Sequence, residues 1–146
     1  MKRFGRRPLA AVLILCMLTT LFCVHASAIQ DSSAYLSSYT AFVTPESGGR
    51  ISVTVDVVPV GSADVLGATS IHIYESTDNV NFESVYSFYA EDYPDMLGSG
   101  SFYYETPVVY YGTPGRYYSA TVYFYAEKNG GSDWAMYDTV AKLAIE

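Results

Sequence analysis

From residue 33 onward, apolar and polar side chains alternate along the chain with a period of two, the pattern of half-buried β-strands. The clearest run is 50–61, RISVTVDVVPVG, in which a branched aliphatic residue recurs at every second position from Ile51 to Val57. Similar alternation is found in 67–76, GATSIHIYES, and in 116–128, RYYSATVYFYAEK. No long pattern with the helical period of 3.6 accompanies it, so we expect strands throughout.

Seven strands are predicted, separated by segments rich in Gly, Pro, Asp and Asn. The strands are 33–45, 50–61, 67–76, 82–90, 101–111, 116–128 and 134–146, and the turns or loops are 77–81, 91–101, 112–115 and 129–133. In 116–128 we place Tyr118, Ala120, Val122, Phe124 and Ala126 in the core, and in the last strand Ala141, Leu143 and Ile145. About seven short antiparallel strands predict an all-β, immunoglobulin-like β-sandwich.

Three tyrosine pairs recur at intervals of seven residues in 103–118, YYETPVVYYGTPGRYY. A heptad could indicate a coiled coil, but Pro107 and Pro114 would interrupt a helix. The stretch therefore predicts a strand, a turn at GTPG and a second strand. GTPGRYYSATV also resembles the corner of immunoglobulin-like domains, where a tyrosine hydroxyl ties down the sixth strand. The fibronectin type III version of that pattern implies that Tyr118 is the structural corner, whereas Ser119 stands where antibody domains have cysteine.

The N-terminal 28 residues have the pattern of a secretory signal peptide. Four cations in MKRFGRRP precede the apolar run Leu9–Val24, and the small residues Ala26–Ala28 follow, so cleavage is expected after Ala28. The run is shorter than the ~20 residues that span a bilayer, and no stable membrane insertion is expected after cleavage. Residues 29–146 then form one β-sandwich domain, secreted and either free or associated with the cell wall.

Cleavage changes the chemistry of the chain. Cys16 and Cys23, the two cysteines, leave with the signal, so the secreted domain has neither thiol nor disulfide, which is typical of Gram-positive bacteria. Four cations remain against fifteen carboxylates, a net charge of −11. Such an acidic surface disfavours nucleic acid as a partner and suits cations, neutral sugars or basic proteins.

A second resemblance covers more of the chain. LGATSIHIYES, PDML and YYGTPGRYYSATVYFYA resemble a family of small secreted proteins of clostridia and related gut bacteria. The function of that family is unknown, so the resemblance implies secretion and a β fold and supplies no site residues.

Candidate catalytic residues are sparse. After cleavage His72 is the only histidine, and a triad or a zinc site needs more. On the polar face of a strand, His72 is expected to be a surface residue. Paired carboxylates could hydrolyse glycosides, but the acidic residues at 91–95 are neighbours in one loop. We therefore expect a protein that is not an enzyme and that has no cofactor except, in one hypothesis, calcium.

Calcium binding is the metal hypothesis, because two segments offer oxygen ligands. The candidate ligands are Asp78, Asn79, Asn81, Glu91, Asp92 and Asp95. Neither segment has the ligand spacing of an EF-hand loop, so ordinary turns and solvated loops are the favoured interpretation of both.

Tyrosines on one sheet face form the candidate binding site. If Tyr74, Tyr123 and Tyr125 point outward from neighbouring strands, their rings can form a patch that recognises glycan, cell-wall polymer or extracellular protein. The alternative is that they are cross-strand pairs that stabilise the sheet. Two functions follow: a secreted non-catalytic binding module, or a structural protein that self-assembles through its edge strands.

Overall fold

The structure, a computed structural model, describes residues 33–146. The predicted signal peptide, its cleavage site after Ala28 and both cysteines lie outside the described residues. Within the described part, nine strands and two short 3-10 helices follow one another. They are β1 (Leu36–Pro45), β2 (Arg50–Pro59), β3 (Ala63–Ser76), β4 (Glu83–Tyr89), β5 (Leu97–Gly100), β6 (Tyr103–Tyr111), β7 (Tyr117–Lys128), β8 (Gly131–Asp138) and β9 (Lys142–Leu143), with 3-10 turns at Ser47–Gly49 and Pro94–Met96.

The strands form two antiparallel sheets, which confirms the all-β sandwich. One sheet has the order β1-β2-β6, and the other has the order β4-β3-β7-β8, with β5 paired to β3 and β9 to β7. Lettered as in immunoglobulin-like domains, the first sheet is A-B-E and the second is C′-C-F-G. The two additional strands, β5 and β9, are short, and they account for the difference from the seven predicted. In residues 33–146 no helix is long and apolar enough to cross a membrane.

The core lies between the inner faces of the two sheets, where the alternation predicted it. The aliphatic side chains of β2 from Ile51 to Val57 are fully buried, and so are Tyr118, Val122, Phe124 and Ala126 of β7. Burial of this apolar surface is the main driving force of the fold, at about 25 cal/mol per Å².

The end of the chain differs from the prediction. The strand expected at 134–146 ends at Asp138, and Thr139 takes over part of the pairing. Its amide donates to the Ala120 carbonyl at 2.9 Å, and its hydroxyl accepts the Ala120 amide at 2.9 Å. The alternation keeps its phase through Thr139 and changes before Ala144, which is buried while Leu143 and Ile145 are exposed. The Ala144 amide donates to the Arg116 carbonyl at 2.8 Å, and its carbonyl accepts the Gly115 amide at 2.9 Å. The prediction that Leu143 and Ile145 point inward was wrong.

Each tyrosine pair of 103–118 is divided between an inner and an outer face. Tyr118 is fully buried, and its hydroxyl accepts the Thr113 amide at 2.7 Å and donates to the Glu75 carboxylate. This is the geometry of a tyrosine corner. A Cβ at Gly112 would collide with the Tyr118 ring, so glycine is required there. Burial, reinforced by the hydrogen bond to Glu75, raises the pKa of the Tyr118 hydroxyl.

Candidate ligand-binding face

A row of four aromatic side chains crosses the outer face of the four-stranded sheet. Tyr89, His72, Tyr123 and Trp134 come from β4, β3, β7 and β8, and we call them the aromatic row. Ring centroids are 5.9 Å apart for Tyr89–His72, 5.5 Å for His72–Tyr123 and 6.4 Å for Tyr123–Trp134. Because neighbouring strands lie about 4.8 Å apart, the row extends roughly 14 Å across the sheet.

A β-bulge in β3 brings His72 to this face. Leu66 and Ala68 point into the core, but the register shifts between Ala68 and Ser70, and after it Ile71 and Ile73 are the buried residues. The extra residue changes which positions face outward. It also sets Ser70 opposite Tyr123 on one side and opposite Tyr89 on the other. The row therefore depends on the bulge.

The row is accessible from one end to the other. Trp134, the only tryptophan of the chain, is 69% exposed, and Tyr89 is 48% exposed. His72 and Tyr123 are half-buried between them. Large aromatic side chains exposed in contact with one another are the usual mark of a recognition surface, whereas scattered ones are not.

Two serine hydroxyls hold the His72 ring upright. Nδ1 lies 2.7 Å from Ser87 Oγ on β4, and Nε2 lies 3.2 Å from Ser70 Oγ on β3. In a neutral imidazole one nitrogen donates and the other accepts. With the ring in that form, one serine donates its proton to the ring, while the other accepts and keeps its own hydroxyl proton free. The face thus presents a hydrogen-bond donor and unused acceptor lone pairs beside the rings.

A cleft of about 640 Å³ opens at the Tyr89 end of the row. Its lining is mostly apolar and consists of Thr69, Tyr89, Ala90, Glu91 and Leu97. Thr69 is the bulged residue, and its hydroxyl donates to the Tyr123 carbonyl at 3.3 Å. The bulge therefore shapes both the row and the cleft, and Glu91 is the carboxylate among the residues that line the cleft.

The surroundings of the row are acidic. β3, β4 and β8 contain no Lys or Arg, and Lys128 ends β7 on the core-facing side of its alternation. Two carboxylates flank the row: Asp138 accepts the Thr121 hydroxyl at 2.5 Å, and Glu127 accepts the Tyr125 hydroxyl at 2.7 Å. An anionic ligand would find no cation on the outward-facing positions of these four strands.

Of the three predicted tyrosines, Tyr123 lies in the row. Tyr125 is paired with Trp134 across the strands and lies beside the row. Tyr74 is on the same sheet, but it is paired with Ser119, four residues from Tyr123. That separation is about 13 Å along β7, so the structure does not bring Tyr74 into the patch.

His72, Tyr89 and Trp134 were not identified as site residues from the sequence. The one available signal was the outward position of His72, which the alternation had placed correctly. The partners of a histidine on neighbouring strands depend on register, and no local pattern specifies register over such sequence separations.

The first candidate calcium segment, which contains Asp78, Asn79 and Asn81, is closed by its own hydrogen bonds. The Asp78 carboxylate accepts the amides of Asn81 and Val80 and the side chains of Asn81 and Ser76. These hydrogen bonds, the Asn81 amide first, hold the pKa of Asp78 well below its usual range. Asn79 takes a left-handed conformation, with φ 61°. The segment is thus a closed Asx turn whose oxygens already have donors.

The second acidic segment flanks the 3-10 turn at Pro94–Met96. Glu91, Asp92 and Asp95 are exposed, and the Asp95 carbonyl accepts the Tyr103 hydroxyl at 2.5 Å. In residues 33–146 no three His, Asp or Glu side chains converge as a metal-binding group. Calcium binding at these positions stays a prediction.

Comparison with known proteins gives no relative for this fold and face: no family model, curated protein or solved structure matches the chain.

Proposed function

We propose that the protein is a secreted, non-catalytic binding module that recognises an extracellular polymer through the aromatic row. The observation that carries the proposal is the unbroken ring contact from Tyr89 to Trp134 across four strands. Aromatic rings offer large apolar area at little cost in side-chain entropy, and tyrosine adds a polar tip. A rigid sheet holds these rings ready for a ligand.

The site chemistry favours recognition over catalysis. His72 is the only histidine in residues 33–146, and its ring nitrogens are bonded to serine hydroxyls, with no carboxylate to orient it as a base. The carboxylates beside the row accept hydrogen bonds from Thr121 and Tyr125. The signal-like N-terminus and the resemblance to secreted clostridial proteins support release from a Gram-positive cell, where glycans, wall polymers and proteins are the available partners.

The alternative, a self-assembling surface protein, has weaker support. Two of the edge strands carry features that oppose pairing with another chain. Pro107 interrupts the edge strand β6. On the edge strand β8, Asp133 accepts the Ser33 hydroxyl at 2.7 Å and the Tyr35 amide at 3.1 Å, which fastens the residues before β1 against it. These contacts, the Ser33 hydroxyl first, lower the pKa of Asp133.

A retention assay tests the proposed function. The purified protein is passed over insoluble Gram-positive cell walls, immobilised glycans and immobilised extracellular proteins, with and without calcium. We expect retention on at least one matrix and its loss in the Tyr123→Ala/Trp134→Ala double variant. The matched control, Tyr104→Ala/Tyr111→Ala, removes two exposed rings from the other sheet and should be retained like the wild type.

Two results would contradict the proposal. One is retention that the row variant keeps in full. The other is no retention together with concentration-dependent assembly in size-exclusion chromatography, which would favour the structural alternative.

A further inference from the structure

We infer that the ligand of the aromatic row is an uncharged linear glycan, lying across the strands from Trp134 to the cleft at Tyr89. The inference rests on the proposed function, because it names the class of polymer that the same face accepts. Three properties of the face lead to it: its charge, its hydrogen-bonding groups and its length.

The charge of the face excludes anionic polymers. The four strands carry no outward cation, while Asp138 and Glu127 flank the row and Glu91 borders the cleft. Two cations elsewhere in residues 33–146 are already paired, Arg50 with Glu46 and Arg116 with Glu75. A polymer of phosphates or uronic acids would meet repulsion without a compensating ion pair.

The hydrogen-bonding groups match hydroxyls. A sugar hydroxyl both donates and accepts, and the Ser70–His72–Ser87 network leaves one hydroxyl proton free to donate and lone pairs free to accept. The Tyr89 and Tyr123 rings stand on either side of that network, at 5.9 and 5.5 Å from the imidazole. The combination of rings with small neutral hydroxyls suits the apolar faces and hydroxyl edges of a pyranose.

The length of the face sets the length of glycan that fills it. The row measures roughly 14 Å, so more than one sugar ring is needed to cover it. The Trp134 end lies on the edge strand β8 and is open, whereas the Tyr89 end leads into the 640 Å³ cleft. Binding should therefore strengthen with each added sugar until the row and cleft are occupied.

Trp134 makes the test direct, since it is the only tryptophan and lies in the row. Its emission is followed while the purified protein is titrated with neutral oligosaccharides of two to six sugars: β-1,4-glucan, α-1,4-glucan, β-1,4-mannan, β-1,4-xylan and β-1,4-N-acetylglucosamine. Oligogalacturonate and lipoteichoic acid are tested as anionic polymers. The glucosamine hexamer is tested as a cationic oligosaccharide, to be compared with the neutral N-acetylglucosamine hexamer.

We expect at least one neutral series to give a saturable shift. Its affinity should rise roughly tenfold from disaccharide to tetrasaccharide and level off beyond that. Tyr123→Ala should weaken binding about tenfold, the loss of one stacked ring. His72→Phe keeps an aromatic ring but removes the network, and should weaken binding about fivefold. Tyr111→Ala should change nothing. The Trp134→Ala variant has no tryptophan emission, so its binding is measured by calorimetry. This comparison checks that the emission shift reports on binding.

The outcomes separate the inference from the proposed function. Saturation by no neutral glycan, with retention on an anionic polymer or a protein that still requires Tyr123 and Trp134, overturns the inference and leaves the binding module intact. If no ligand of any class binds in a way that requires Tyr123 and Trp134, both the inference and the proposed function are overturned. If Tyr123→Ala fails to fold, Tyr123→Leu serves in its place, since it fills the volume without an aromatic face.

Discussion

The outer faces of the two sheets use similar residues in different arrangements. The three-stranded sheet exposes Phe42, Tyr104 and Tyr111, so it too carries large aromatic side chains on its outer face. Tyr104 is paired with Asp56 and Tyr111 with Arg50, which separates the two rings by about 20 Å along β2. Among the described residues, ring contacts on an outer face are found only on the four-stranded sheet.

The centre of the three-stranded face is occupied by hydroxyl groups. Thr54 on β2 and Thr106 on β6 share a hydrogen bond of 2.8 Å, at the place where the other sheet has its ring contacts. Exposed tyrosine alone therefore does not distinguish a binding face from an ordinary sheet surface. Continuity of the rings does, and continuity is a property of strand register.

The largest effect that we expect concerns neither outer face but the core that both share. Tyr118→Ala removes a fully buried ring from the corner and should lower the free energy of unfolding by about 3–5 kcal/mol, measured by urea denaturation. Tyr118→Phe keeps the ring but removes the hydroxyl that the Thr113 amide and the Glu75 carboxylate use as a hydrogen-bond partner. It should lower the free energy of unfolding by about 1–3 kcal/mol.

The distinction between a structural core and a binding face would be contradicted if Trp134→Ala destabilised the fold as much as Tyr118→Ala does. The aromatic row would then be part of the structural framework, and its exposure would have no bearing on recognition.

The pair Tyr103–Tyr104 sharpens the contrast between inner and outer tyrosines. Burial, with the Glu105 and Asp95 carboxylates, raises the pKa of Tyr103 to about 12, while its neighbour Tyr104 is exposed. Above pH 10 the unfolded chain loses the Tyr103 proton that the folded chain keeps, so stability falls as pH rises from 10 to 12, by about 2 kcal/mol.

Denaturation curves of two phenylalanine variants measure this contribution. Tyr103→Phe should flatten the decline between pH 10 and pH 12, although it also loses the hydrogen bond to the Asp95 carbonyl and starts less stable. Tyr104→Phe should follow the wild type. If the free energy of unfolding declines equally with pH in the wild type and in Tyr103→Phe, folding does not change the pKa of Tyr103.

The sequence predicted the parts of the fold that depend on local alternation. The inward residues of β2 and β7 were correct because an uninterrupted strand keeps its period of two. The end of the chain was wrong, since the alternation changes phase between Thr139 and Ala144, whose backbone pairs with Arg116 and Gly115. β5 was missed because LGSG lacks the β-branched and aromatic residues that mark a strand.

The candidate site was less predictable than the fold. Tyr123 was placed on the outer face by alternation within β7. Its neighbours His72 and Trp134 are determined by the pairing of β7 with β3 and β8, and Tyr89 by the pairing of β4 with β3. The bulge at Thr69 in β3 sets Ser70 opposite Tyr123, so His72 and not Tyr74 lies within ring contact of Tyr123. Such bulges leave little trace in hydrophobicity.

The smallest effect tests directly whether the two faces are built alike. Double-mutant cycles on Tyr123–Trp134 and on Thr54–Thr106 should each give a coupling energy of about 0.2–1 kcal/mol, because both are contacts between neighbouring strands on a solvated face, the first of them diagonal. If both couplings fall in that range while only the Tyr123–Trp134 variants lose ligand, the rings stabilise the sheet no more than a pair of threonines does. Their exposure would then be explained by recognition. A coupling above about 2 kcal/mol for the ring pair alone would instead identify the row as structural material.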